Sequence, residues 1–114
     1  MVRKWDIYYC CLDPAEGSEQ KGTRPVLVIS NDSVNSNLTV STVLPFSSIK
    51  GNEKIYPTEV YIPGDVTVLK RDSVVMIHQI RTVSHKRLVK KIGSINDDSI
   101  RDKVTVAVRE YFEL

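Results

Sequence analysis

The stretch at residues 24–30, RPVLVIS, contains four consecutive apolar residues from Val26 to Ile29. An apolar run of this length between polar residues is typical of a strand that is buried on both faces. Proline at the first position of such a strand removes no hydrogen bond from the interior of the β-ladder. The stretch therefore predicts a buried strand, and its flanking segments indicate which fold contains it.

Loops and further strands are expected on both sides of this segment. Residues 13–23 hold two glycines and little to bury, which predicts a mobile surface loop. Residues 47–53 predict a second loop with Gly51 at its bend, and residues 31–33 interrupt the apolar pattern. Further strands are predicted at residues 5–12, 38–46, 55–62, 66–69 and 74–83.

A helical period appears only toward the end of the chain. Ser84 can cap a helix over residues 85–92 that stops at Gly93, and Asn96 or Asp97 can cap a longer helix. The longer helix has one apolar stripe, formed by Ile100, Val104, Ala107, Val108 and Tyr111. Short strands followed by helices predict a single domain over residues 1–114: a small antiparallel β-barrel with the C-terminal helix covering one side. A barrel is favoured because closure removes exposed strand edges.

Composition and charge exclude several classes of protein. The 16 Lys and Arg against 14 Asp and Glu give a net charge of +2, which is too balanced for a polybasic arm. No apolar stretch approaches the ~20 residues of a transmembrane helix, and the N-terminus lacks a signal-like apolar segment. We therefore expect a cytoplasmic protein with no membrane partner.

The cysteines and histidines give no support for a disulfide or a metal. Cys10 and Cys11 are adjacent, where a disulfide ring would be strained, so both are expected to be reduced thiols. The chain has only two histidines and no CxxC spacing. No metal site is therefore predicted.

Arg24 is the first candidate for chemistry. It stands between a glycine-flanked loop and the buried strand, so its base would be fixed while its head faces a groove. A guanidinium in that place suits phosphate, because its donors match two phosphate oxygens. The residues alone favour the commoner arrangement, an edge arginine paired with Glu16 or Glu19.

Four further polar residues allow both structural and functional interpretations. His78 and Gln79 lie within the strand predicted at residues 74–83. A histidine among apolar neighbours is usually a hydrogen-bonded structural residue, and the functional alternative is a general acid or base. Ser47 and Ser48 follow a strand end, where serines either form turns or donate hydrogen bonds to a phosphate.

The first predicted helix carries a basic cluster formed by Lys86, Arg87, Lys90 and Lys91. Such a cluster is usually a solvated face, and cations near the C-terminus of a helix are favourable in any case. Because no aromatic residues are interleaved with it, we do not expect a nucleic-acid groove on this helix.

Several motifs, taken in order, resemble the MazF/PemK (Kid) family of toxins. The most specific is the block GSEQKGTRPVLVIS at residues 17–30. The same pattern is matched around that block by residues 6–8, 12–14, 31–32 and 35, and later by residues 57–60, 72–74, 79–82 and 86–88. The resemblance therefore spans nearly the whole chain.

This resemblance implies an SH3-like barrel with a C-terminal helix, assembled as a homodimer. It implies a metal-independent endoribonuclease, or mRNA interferase, that needs no cofactor and cuts single-stranded RNA at short sequences. Cleavage by such an enzyme leaves 2′,3′-cyclic phosphate and 5′-hydroxyl ends and inhibits translation and growth. The resemblance also implies a MazE-like antitoxin whose acidic C-terminal segment lies across the RNA groove.

Site residues are carried over from the family by position. Arg24 matches the catalytic arginine, and Ser47 falls where relatives usually carry a catalytic Thr, with Ser48 as the alternative in register. Gln79 matches a groove residue. The loop that flanks the site contributes Glu19 and Gln20.

The chain departs from the family pattern at two positions. Trp5 stands where relatives usually have Gly, and His78 stands where they often have Asp or Glu. We expect Arg24 chiefly to stabilise the phosphorane, since a guanidinium resists deprotonation, while Ser47 donates a hydrogen bond and His78 shuttles protons. The loops at residues 13–23 and 47–53 are candidates for the RNA surface, with phosphate attracted by Lys21, Lys50 and Lys54. The alternative function on the same barrel is a non-catalytic, CcdB-like toxin that binds a protein partner such as DNA gyrase.

Overall fold

The computed structural model describes residues 1–51 and 53–114. These residues form a mainly β fold that ends in a helix. The strands are β1 (Asp6–Cys11), β2 (Thr23–Val28), β3 (Val40–Ser48), β4 (Glu59–Ile62), β5 (Ser73–Met76), β6 (Arg81–Ser84) and β7 (Leu88–Ser94). The helices are α1 (Asp32–Asn37) and α2 (Asp98–Phe112).

The long strand β3 is the centre of the sheet. It pairs with β2 along one edge, and along the other it pairs first with β6 and then with β5, always antiparallel. The strand order is β4-β5-β3-β2-β1-β7, with β6 beside the first half of β3. The predicted class, mainly antiparallel β with a C-terminal helix, is confirmed. The fold is barrel-like, although among the described residues the end strands β4 and β7 do not pair with each other.

Alternate residues of β2 enter two separate apolar clusters. Leu27 belongs to the larger cluster, which includes Ile7 and Leu44 and receives Ile100 from α2. Val26 and Val28 belong to a smaller cluster with Cys10, Val43 and Val83. Both faces of the central strands are therefore buried, as the continuous apolar run predicts, and the alternation decides which polar residues at the strand ends share a face.

The prediction of a helix over residues 85–92 is wrong. A 3-10 turn at His85–Arg87 leads directly into strand β7, although Ser84 does cap the turn by accepting from the Lys86 amide. Strand β7 pairs with β1, a contact distant in sequence that a local helical spacing does not reveal. Gly93 lies inside this strand, where a Cβ atom would come within 2.9 Å of the Val68 side chain.

Other predicted boundaries change as well. Strand β3 runs to Ser48, so Ser47 and Ser48 lie in the strand and not after its end in the loop expected at residues 47–53, and β4 begins at Glu59. A 3-10 turn at Gly64–Val66 replaces the strand expected at residues 66–69. The strand expected over residues 74–83 is broken by a 3-10 turn at Ile77–Gln79, so the alternation assumed for His78 and Gln79 does not hold. Helix α1 stands where only a break was expected, and Asn31 caps it by accepting from the Val34 amide.

The predicted C-terminal helix is confirmed as α2. Asp97 caps it by accepting a hydrogen bond from the Ile100 amide at 3.0 Å. Ile100 and Val104 are buried, with Ala107 and Val108 packed against the same cluster, whereas Tyr111 is 44% exposed and lies outside that stripe.

Candidate active site

Arg24 is held at its base with its outer donors free. It lies opposite Cys10 at the start of β2, and its Nε donates to the Lys21 carbonyl at 3.0 Å. Within the described residues, its two terminal amino groups make no hydrogen bond and no ion pair. The ion pair found among those residues joins Lys91 to Asp6. The edge pairing with Glu16 or Glu19 is therefore not observed. A guanidinium oriented in this way presents two parallel donors to an anion.

The strand register places Ser47 on the same face as Arg24. Val26 pairs with Pro45 across β2 and β3, and the same register carried two residues further sets Arg24 across from Ser47. Ser48 is next along the strand and therefore faces the opposite side, as Phe46 does. Of the two serines predicted for the catalytic hydroxyl, Ser47 is the one that shares a face with Arg24.

Gln79 holds the loop before β2. Its side-chain oxygen accepts from the Gln20 amide at 3.2 Å, and its side-chain nitrogen donates to the Ser18 carbonyl at 3.0 Å. This pair of bonds, which we call the Gln79 clamp, fixes the loop one and three residues before the Lys21 carbonyl that orients Arg24.

Two arginines hold the base of the same loop through hydrogen bonds to its backbone. Arg81 donates to the Leu12 carbonyl at 2.7 Å, and Arg87 donates to the carbonyls of Cys11 and Asp13. The guanidinium groups of Arg81 and Arg87 donate hydrogen bonds to backbone carbonyls, so they act here as structural supports for the loop.

One cavity beside Arg24, the basic cavity, has a volume of about 620 Å³. Its cations are Arg24, Arg71, Lys90 and Lys91, and its neutral polar residues are Tyr9, Ser48 and Ser73. Among the described residues that line it there is no carboxylate. Its volume lies within the roughly 300–1,000 Å³ typical of small-molecule sites.

The second cavity, the amide cavity, has a volume of about 390 Å³. It is lined by the loop residues Ser18, Glu19 and Gln20, by His78 and Gln79 of the 3-10 turn, and by Leu12, Pro45, Ile80 and Arg81. Pro45 lies on the Ser47 face of β3, so this cavity adjoins the Arg24–Ser47 face.

The structure divides most of the predicted site residues between these two cavities, and Ser47 lines neither of them. Arg24 and Ser48 line the basic cavity, while Glu19, Gln20, His78 and Gln79 line the amide cavity. Lys21, Lys50 and Lys54 are exposed and line neither cavity. Lys54 lies over the Tyr56 ring, 5.5 Å from its centroid.

Sequence reasoning missed five polar residues of the basic cavity: Tyr9, Arg71, Ser73, Lys90 and Lys91. Their basic cluster predicts a solvated helix face for Lys90 and Lys91, but strand β7 brings them beside β1. The available signal was their basic cluster, which a strand assignment would have placed next to Tyr9.

The interior behind Arg24 is neutral. Burial raises the pKa of the Cys10 thiol to about 11, with Arg81 and Arg87 acting in the opposite direction. Both cysteines are free, as predicted. Among the described residues no group of three His, Cys, Asp or Glu side chains is arranged to hold a metal ion, and the described helices include none long and apolar enough to cross a membrane.

The fold and site define a class of small antiparallel β proteins that present an arginine fork and a hydroxyl beside cationic and amide-lined cavities. Residues 3–112 match the family model described as PemK-like, MazF-like toxin of type II toxin-antitoxin system, and the chain belongs to this family. It is 39% identical to the endoribonuclease EndoA of Bacillus subtilis over 109 residues. This alignment covers 96% of this chain and 92% of that protein.

Solved structures give the same fold. The chain is similar to MazF of Deinococcus radiodurans, with a TM-score of 0.82 and 21% identity over 99% of this chain and 97% of that one. It is also similar to the Mycobacterium tuberculosis toxin MazF-mt6, with a TM-score of 0.76 and 27% identity over 96% of this chain and 97% of that one. A mycobacterial endoribonuclease in complex with its cognate antitoxin gives a TM-score of 0.79 at 19% identity, over 100% of this chain and 97% of that one.

Proposed function

We propose that this toxin is an endoribonuclease that cuts single-stranded RNA without a metal ion. The observation that carries the proposal is the Arg24 fork, held by the Lys21 carbonyl with both terminal amino groups free. Family membership and the name of the Bacillus relative support the same activity. In this mechanism the nucleophile is the RNA's own 2′-hydroxyl, so the protein has to supply proton transfer and charge stabilisation only.

Arg24 and Ser47 carry the electrostatic part of the reaction. Negative charge builds on the phosphate oxygens as the 2′-oxygen attacks phosphorus and the bond to the leaving 5′-oxygen breaks. The two free donors of Arg24 face that charge, and the Ser47 hydroxyl donates a further hydrogen bond from the same face. The products are a 2′,3′-cyclic phosphate and a 5′-hydroxyl.

His78 is the candidate for proton transfer. It is exposed at the 3-10 turn and lines the amide cavity beside Gln79, away from the lining of the basic cavity. An RNA strand that passes from the amide cavity to Arg24 would bring its 2′-hydroxyl between the imidazole and the guanidinium. The loss of His78 is then expected to change the pH dependence of cleavage as well as its rate.

The partners follow from the same family. We propose a homodimer with a cognate MazE-like antitoxin, whose acidic C-terminal segment competes with RNA for the positive potential of the site. Related structures support an antitoxin partner: MazF of Deinococcus radiodurans was solved with MazE, and the mycobacterial endoribonuclease was solved with its cognate antitoxin. A cytoplasmic location fits an RNA substrate.

Digestion of a mixed-sequence RNA in the presence of EDTA tests the proposal. Wild type is expected to cleave, and Arg24→Ala is expected to reduce the rate by ~10²–10³-fold because it removes a charged donor to the transition state. Arg24→Lys keeps the charge but loses the fork, so it should recover only part of the rate. Arg109→Ala, at an exposed position on α2, is the matched control and should cleave as wild type does.

Full activity of Arg24→Ala would contradict the assignment of this residue. RNA left intact by wild type, together with capture of a protein such as DNA gyrase, would favour the CcdB-like alternative instead.

A further inference from the structure

The basic cavity faces the side of the sheet opposite to Ser47. Tyr9 pairs with Pro25 on β2 and with Lys90 on β7, so these three side chains form a row across one face. Ser48 and Ser73 are paired across β3 and β5 and line the same cavity. This side of the sheet is distinct from the one on which Arg24 and Ser47 are set.

The charge of the cavity selects an anionic ligand. Of its four cations, Lys91 lies 3.3 Å from the Asp6 carboxylate, and the other three form no ion pair within the described residues. Lys90 and Arg71 are exposed and free to meet a ligand. Three cations without acidic partners, next to the exposed Ser48 hydroxyl, provide donors for phosphate oxygens. The Ser73 hydroxyl is buried and donates to the Arg71 carbonyl at 3.2 Å.

The cavity also offers an aromatic surface. Tyr9 is 40% exposed and stands next to Lys90 in the row. Unpaired bases of single-stranded RNA stack on such rings while neighbouring cations hold the backbone. An acidic peptide would use the cations but would gain much less from the ring.

Arg24 connects the two sides. It lines the basic cavity, yet it lies at the end of β2 where the register sets it across from Ser47. We infer that the basic cavity binds the RNA segment next to the cleavage site, with backbone phosphates on Lys90 and Arg71 and one base stacked on Tyr9. This inference rests on the proposed function, since it extends the RNA strand beyond the phosphate that reacts.

The test measures binding and cleavage separately. Binding is followed by fluorescence anisotropy with a mixed-sequence 2′-O-methyl oligoribonucleotide, which cannot be cut because it has no free 2′-hydroxyl, over a range of salt concentrations. Cleavage is followed with unmodified RNA of the same length. The variants are the double substitution R71A/K90A, Tyr9→Ala and Tyr9→Phe, and the control is Lys103→Ala, an exposed lysine on α2.

R71A/K90A is expected to weaken binding and to reduce the slope of log affinity against log salt by about 1.4, since each phosphate contact on a single strand contributes about 0.7. Tyr9→Ala should weaken binding about fivefold or more, and Tyr9→Phe should bind as wild type does because the ring is kept. Lys103→Ala should change neither the affinity nor the slope. Thermal unfolding of each variant verifies that it is folded.

The remaining outcomes distinguish failure of this inference, failure of the proposed function and binding of a different ligand. Unchanged affinity and unchanged salt slope in R71A/K90A would overturn the inference, even with wild-type cleavage intact. A wild type that binds the oligonucleotide but leaves RNA uncut would overturn the proposed function alone. If R71A/K90A loses affinity only for inorganic phosphate, or only for an acidic peptide, the cavity serves that ligand and the RNA assignment is wrong.

Discussion

The two ends of strand β2 use polar groups in opposite ways. At its start, Arg24 keeps its two terminal amino groups free beside the basic cavity, which holds the further unpaired cations Arg71 and Lys90. Past its end, the Ile29 amide donates to Thr42 at 2.9 Å, and the Val28 carbonyl accepts from Trp5 at 2.7 Å. Among the described residues no buried side-chain polar atom lacks a partner. We therefore expect the end with free donors to bind a ligand and the end with satisfied donors to hold the fold.

A buried network shows how complete the pairing is at the far end. Asn35 is 3% exposed; its Oδ1 accepts from Ser30 at 2.5 Å and from Ser41 at 2.7 Å, and its Nδ2 donates to the Ser30 carbonyl. Because Ser41 gives its single proton to Asn35, it must accept from Nε2 of His85, which lies 2.8 Å away. The contrast predicts that substitutions at the first end change cleavage and that those at the second change stability.

After Arg24→Ala, the largest expected effect separates the two serines at the site end. Ser47→Ala is expected to lower kcat about 10²-fold, because it removes a donor on the Arg24 face. Ser48→Ala is expected to act mainly on KM, because Ser48 lines the basic cavity on the other face. Single-turnover and steady-state kinetics of both variants measure this. A larger loss of kcat in Ser48→Ala would reverse the assignment of the faces.

At the structural end, Asn35→Ala is expected to cost about 2–3 kcal/mol in the free energy of unfolding, since it leaves the buried Ser41 hydroxyl and the half-buried Ser30 hydroxyl without their acceptor. Urea denaturation measures it, and kcat of the folded variant should match wild type. Ser36→Ala, at an exposed position of the same helix, is the control. A fall in kcat without loss of stability would break the division between the two ends.

The Gln79 clamp combines features of both ends, because its polar groups are paired with the backbone although it lies at the site end. Gln79→Ala removes both bonds to the loop and is expected to lower kcat/KM about tenfold, equivalent to about 1.4 kcal/mol. Gln79→Glu keeps the acceptor for the Gln20 amide but loses the donor to Ser18, so its loss should be smaller. Equal losses in the two variants would indicate that Gln79 acts through RNA rather than through the loop.

Much of the site end was predictable because it is local in sequence. The block at residues 17–30 identifies the loop, Arg24 and the buried strand without any distant contact. The basic cavity was not predictable in the same way, since Lys90 meets Tyr9 only through the pairing of β7 with β1. Leu88 and Ile92 are four residues apart, a spacing that is typical of a helix, and no neighbouring sequence signal indicates a strand instead. The turn at Ile77–Gln79 was hidden for a related reason, because apolar residues continue across it.

The position of Trp5 was also visible in the sequence, as a departure from the glycine that relatives usually have there. The structure supplies the physical reason for that glycine: Trp5 has φ of 76°, in the left-handed region where a side chain is strained. Its ring offsets this by packing on the larger cluster, with the Lys4 Nζ 5.3 Å and the Arg101 Cζ 5.5 Å from the ring centroid.

Two variants that both lack the ring separate strain from packing at this position. Trp5→Ala loses the packing and keeps a strained Cβ, whereas Trp5→Gly loses the packing and the strain together. We expect Trp5→Gly to be more stable than Trp5→Ala by roughly 0.5–1 kcal/mol, although glycine usually loses to alanine through its greater freedom in the unfolded chain. Urea midpoints of the two variants give the difference directly. An alanine variant as stable as the glycine variant would mean that the backbone at Trp5 relaxes once the ring is gone, and cleavage by either variant should stay at the wild-type rate because this end of β2 holds the fold.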